Sequence, residues 1–126
     1  MTSAPPRFPP YPIRGVRVVH QKQNCAPQFA GIVVDFEPAV EGIAFEVAEN
    51  LTVENEPAGD LPRFFAAVAA GIKEQLSLPE HGVAVATKVV LRQVHAVRIG
   101  SHELAFKIAG FLAARKALER TVTPRI

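Results

Sequence analysis

The side chains in this 126-residue chain best equipped for chemistry are one cysteine, Cys25, and four histidines, His20, His81, His95 and His102. A thiol beside an imidazole can be activated as a nucleophile, and imidazole with thiolate suits zinc. Neither chemistry is well specified. A thiol hydrolase also needs an orienting group and oxyanion donors, which the sequence does not identify, and no two of His20, Cys25, His95 and His102 share a recognised ligand spacing. His81, beside Gly82 in a turn, reads as a solvated loop residue. Lys22, Arg92 and Arg98 offer a different chemistry, since ammonium and guanidinium groups bind phosphates with little sequence demand. Phe29 is the one aromatic close to them, so stacking on bases has thin support. No GxxxxGK[ST] phosphate loop occurs, so GTP binding is not expected, nor is any cofactor or metal.

The elements that must position these residues follow from periodicity and punctuation. The first 12 residues contain five prolines and read as an extended arm without a packing pattern, with folding expected to begin near Ile13. IRGVRVVHQ, FAGIVVDFEP and IAFEVAEN are three strands by their alternation and β-branched content, the second closed by Pro38 and the third opened by the Glu41-Gly42 turn. Asp60 can cap a helix with Pro62 in its first turn and Leu61, Phe64, Phe65, Val68, Ile72 and Leu76 at helical spacing. Pro79 and Gly82 end that segment, and VAVATKVVLRQV is a fourth strand. Gly100 and Ser101 open a second helix, with Leu104, Ile108, Phe111, Leu112 and Leu118 as its expected buried stripe and Arg115, Lys116 and Arg120 near its negative end. The order of three strands, helix, strand and helix predicts a two-layer α+β sandwich, a four-stranded sheet with both helices on one face.

Composition is consistent with one folded body: 48% apolar and 21% charged residues lie far from the pattern of disorder. One cysteine makes no internal disulfide, and a reducing compartment fits that. No apolar run approaches the roughly 18 residues of a membrane span, and prolines occupy the place of a signal peptide's apolar core, so the expectation is a cytoplasmic protein with no membrane partner. Charge is unevenly placed. Residues 1–23 carry Arg7, Arg14, Arg17 and Lys22 without an acid, while residues 24–62 carry Asp35, Glu37, Glu41, Glu46, Glu49, Glu54, Glu56 and Asp60 without a lysine or arginine. From Arg63 onward ten basic residues face four acidic ones. Such blocks either pair within the fold or present opposed faces, of which the basic one could meet phosphate.

SHELAFKIAGFLAARKAL, preceded in order by HQKQ, QFA, VVDFEP, FEVAEN and AGDLPRFFAAVAAGIKEQL, resembles the fourth domain of translation elongation factor G and of the tetracycline-type ribosomal protection factors, from about Val16 to Ile126. The resemblance implies a β3αβα fold with a left-handed crossover, and two loops at one tip that meet messenger and transfer RNA. The family's first tip loop reads roughly HxKQTGGRGQFA. Here His20, Lys22, Gln23, Gln28, Phe29 and Ala30 keep the frame, while Asn24, Cys25, Ala26 and Pro27 replace TGGRG, one residue shorter and without a glycine to approach a nucleic-acid backbone. The second reads roughly DGSYHDVDSSE. Val97 stands where the family has its tip histidine, and His95 lies two positions away without matching it. By this geometry Cys25 and His95 lie on neighbouring loops, flanked by Lys22, Arg92 and Arg98.

The resulting expectation is a free-standing, non-catalytic module, residues 13–126 behind the arm 1–12, that binds ribosome or structured RNA through a diverged tip. Its expected RNA-contacting residues are His20, Lys22, Gln23, Asn24, Gln28, Arg92, His95 and Arg98. The alternative is a protein-interaction or homodimeric module without a ribosomal role, and a thiol-dependent enzyme ranks third.

Overall fold

A computed structural model describes residues 4–23, 26–55 and 61–121. Runs of β-branched residues become strands β2 (Ile13–Lys22), β3 (Gln28–Pro38), β4 (Gly42–Asn55) and β5 (Ala84–Ala96), and the two segments of helical period become α1 (Leu61–Leu76) and α2 (Glu103–Thr121). A short strand, β1 (Arg7–Phe8), precedes them. The sheet is mixed: β2 and β5 flank β3 in antiparallel pairing, and β4 and β1 both run parallel to β5. Asp60, the expected cap of α1, and Cys25 fall outside the described residues. With one helical layer packed on this sheet, the architecture is a two-layer α+β sandwich.

The core begins earlier in the chain than Ile13. Phe8, read as part of an unpacked arm, is 1% exposed, pairs in register with Val85 and meets the ring of Phe36 edge-on at 5.9 Å. Proline density hides one such anchor, because a single buried aromatic has no period to detect.

The second helix is also turned differently from expectation. Its buried face is Ala105, Phe106, Ala109, Gly110, Ala113, Ala114, Ala117 and Leu118, whereas Leu104 is 53% exposed and Ile108, Phe111 and Leu112 are only partly covered. Small residues win the interior because the two helices touch backbone to backbone. A Cβ built on Gly71 would lie 2.0 Å from the carbonyl oxygen of Lys107, and one on Gly110 would lie 2.3 Å from that of Val68. Phe64 and Phe106 stack beside this crossing, 4.5 Å between ring centres.

Two strands carry irregularities that meet at one carboxylate. Gly15, with φ of +67°, lies in a register shift of β2, a left-handed conformation that glycine adopts without steric cost. Its amide donates to Asp35 Oδ1 at 2.8 Å. On the other side β5 bulges so that Arg92 has no partner on β3, and its Nε donates to Asp35 Oδ2 at 2.8 Å. Asp35 is thereby buried with both oxygens satisfied, as a buried charge requires. Beyond this pair, β4 leaves the ladder between Val47 and Thr52.

Candidate nucleic-acid interface

At one end of the sandwich the β2–β3 and β5–α2 connections are tied together through main-chain atoms. The Phe29 amide donates to the Gly100 carbonyl at 2.9 Å. Ser101 Oγ donates to the Phe29 carbonyl and accepts from the Val97 amide, each at 2.8 Å. Gly100 has φ of +107°, and a Cβ there would come within 3.3 Å of the Phe29 nitrogen, so the approach of the two loops depends on its being glycine. His102 caps α2: its Nδ1 accepts from the Ala105 amide at 3.3 Å.

The expected RNA-contacting residues divide into four groups. Lys22 ends β2 and Gln23 follows it, both exposed, and Arg98 is exposed in the turn after β5, so these three share the tied end. His20, Gln28 and His95 are also there but are half-buried and engaged with neighbours. His20 Nε2 donates to Gln28 Oε1 at 2.7 Å, and the His95 ring meets Phe29 edge-on at 4.8 Å. His95 is paired across the sheet with Gly31 and with Glu54. Asn24 lies outside the described residues.

Arg92, the remaining expected RNA-contacting residue, has its guanidinium held by Asp35 in the body of the sheet. A strand arginine of this kind looks in sequence like a phosphate ligand, because its carboxylate is 57 residues away. Ser101, expected only to open the second helix, also joins two loops through its Oγ.

The opposite end of the molecule holds a groove of about 720 Å³ lined by Gln75, Leu78, His81, Phe111, Arg115 and Leu118. His81, expected to be solvated, donates from Nε2 to Gln75 Oε1 at 2.8 Å, while buried Gln75 donates to the Phe111 carbonyl at 3.3 Å. It therefore braces the turn after α1. Elsewhere the basic and acidic blocks pair locally: Arg14 makes two bonds to Glu37, at 2.9 and 3.2 Å, and these push the guanidinium pKa above its usual value.

With this geometry established, comparison with known proteins gives a limited result. The sequence matches no protein-family model. A crystal structure from Thermus thermophilus is similar, with a TM-score of 0.67 and 23% identity, over 88% of this chain and 16% of that one. The likeness is one of fold. This chain spans only a small part of the length of that protein. No described helix is long and apolar enough to cross a membrane.

Proposed function

We propose that this chain is a non-catalytic binding module with the fold of elongation factor G's fourth domain, and that it contacts the ribosome or another structured RNA through the tied end. The observation that carries this reading is the backbone link between Phe29 and Gly100. It joins β3 just after the first loop to the turn before α2, and Lys22 and Arg98 are exposed at that same end. Cations held on a rigid frame suit phosphate contacts, which need position more than sequence. The loss of glycine from the first loop shifts the contact away from close backbone approach and toward these side chains. No GTP chemistry is assigned to these residues, and the cytoplasm is the compartment where such a target resides.

Co-sedimentation with ribosomes tests the proposal. Binding should be present at low salt and weaken at moderate salt, as release of counterions from phosphate demands. The double substitution K22A/R98A should weaken it further, since each lost phosphate contact lowers both affinity and salt slope.

A second reading, a homodimer or protein-interaction module, draws on exposed apolar side chains, with Val19 53%, Ile99 72% and Leu104 53% exposed. Light scattering separates it from the first. A monomer across micromolar concentrations removes the homodimer.

A further inference from the structure

The two long edges of the sheet are treated differently. Along β2, Lys116 Nζ donates to the Arg17 carbonyl at 2.8 Å and Arg120 Nη1 to the Arg14 carbonyl at 3.2 Å. Cations from α2 thus occupy main-chain acceptors and stand in the path of an incoming strand, a recognised way to close an edge. Among the described residues β4 has no such cover and pairs only with β5, which leaves the other edge of the 14-residue strand Gly42–Asn55 without a strand partner.

The helical layer also leaves this side thinly covered. α1 packs chiefly on α2 and touches β4 only lightly. Ile43, Phe45, Val47 and Leu51 point to the core side yet are only partly buried. Period-two alternation then puts Glu46 and Glu54 on the opposite sheet face. Between them, the excursion of β4 after Val47 opens a groove of about 590 Å³ bordered by Glu37, Glu46, Glu49, Asn50, Lys88 and Arg92. Residues 41–55 carry Glu41, Glu46, Glu49 and Glu54 with no lysine or arginine. Glu46 reaches Lys88 at 3.7 Å, and among the described residues the other three form no salt bridge.

We propose that the free edge of β4 docks an extended, basic segment of a partner protein, which adds to the sheet as a further strand. Main-chain hydrogen bonds supply affinity in this mode, and alternate side chains supply specificity. The pattern of the segment follows from the two faces it meets. Apolar side chains at every second position extend the core over Ile43, Phe45, Val47 and Leu51, while the lysines or arginines between them face Glu46, Glu49 and Glu54. A second copy is a poor occupant. Two β4 edges would bring like charges together, and the β2 edge has its acceptors at Arg14 and Arg17 already filled. This site is separate from the tied end and needs no RNA.

A labelled decapeptide alternating lysine and valine is the probe, titrated by fluorescence anisotropy against the whole chain, with amide hydrogen exchange read across β4. The expected result is binding with slowed exchange in β4. Methylating alternate peptide nitrogens keeps every charge but removes several ladder bonds, and should weaken binding at least about tenfold. The triple substitution E46Q/E49Q/E54Q, at exposed positions, should also weaken it about tenfold, and a glutamate-valine peptide should not bind. The proposal is overturned if the lysine-valine peptide fails to bind, if its methylated form binds equally well, or if exchange in β4 is unchanged. Ribosome binding would be unaffected by any of these outcomes, so the two sites are judged independently.

Discussion

Asp35 sits 5% exposed with one oxygen on the Gly15 amide and the other on Arg92, so each partner offsets part of the cost of burying its charge. Arg92→Ala removes a charge-assisted bond and leaves the carboxylate half-satisfied. Arg92 is itself 44% exposed, so water can partly replace it, and the expected loss is about 1–3 kcal/mol. Urea unfolding should show a lower midpoint with an unchanged slope. The proposed ribosome binding at the tip should survive in this variant, because Arg92 is engaged by Asp35 in the sheet; a selective loss of binding with full stability would return Arg92 to the interface. At this scale the sequence is legible where partners are local. His20 and Gln28, eight positions apart, stay within one hairpin as the residues framing its loop. The Asp35–Arg92 pair and the Ser101 bridge are hidden because their partners are brought together only by the sheet.

Elements are more legible than their rotation. The β-branched runs and the α1 stripe at Phe64, Val68, Ile72 and Leu76 form where periodicity puts them, since alternation and helical spacing directly encode which face can be buried. The second helix differs because a reading that weights large apolar residues passes over alanine, which gains interior positions wherever backbones come close. Gly110 and Gly71 make the consequence testable. Alanine ordinarily favours a helix over glycine by about 1 kcal/mol, but a methyl at either position would enter the carbonyl of the facing helix. Gly110→Ala should therefore destabilise the protein by about 2 kcal/mol or more, as overpacking against backbone does. Thermal or urea unfolding checks it, and a stabilised variant would show that the helices are not in contact there.

The whole molecule separates its charges along the chain, and the fold turns this into places. Arg14 and Arg17 lie on the β2 edge beside the cations of α2, the acids of residues 41–55 line the far edge, and Lys22 with Arg98 stand at the tied end. RNA approaching this molecule would be repelled by the β4 side and met by the tip, which gives the proposed contact a direction. The framework of the tip is readable from residues 20–23 and 28–30, whereas the link that makes two loops one surface depends on Gly100 and Ser101, seventy-odd residues away by the 72-residue span of the Ser101–Phe29 bond. The most direct test of the account is ribosome co-sedimentation of the whole chain, alongside K22A/R98A, across a salt series. The account predicts binding that falls as salt rises and that the double substitution weakens at every salt concentration. Absence of binding at the lowest salt, or binding indifferent to both salt and substitution, would contradict it.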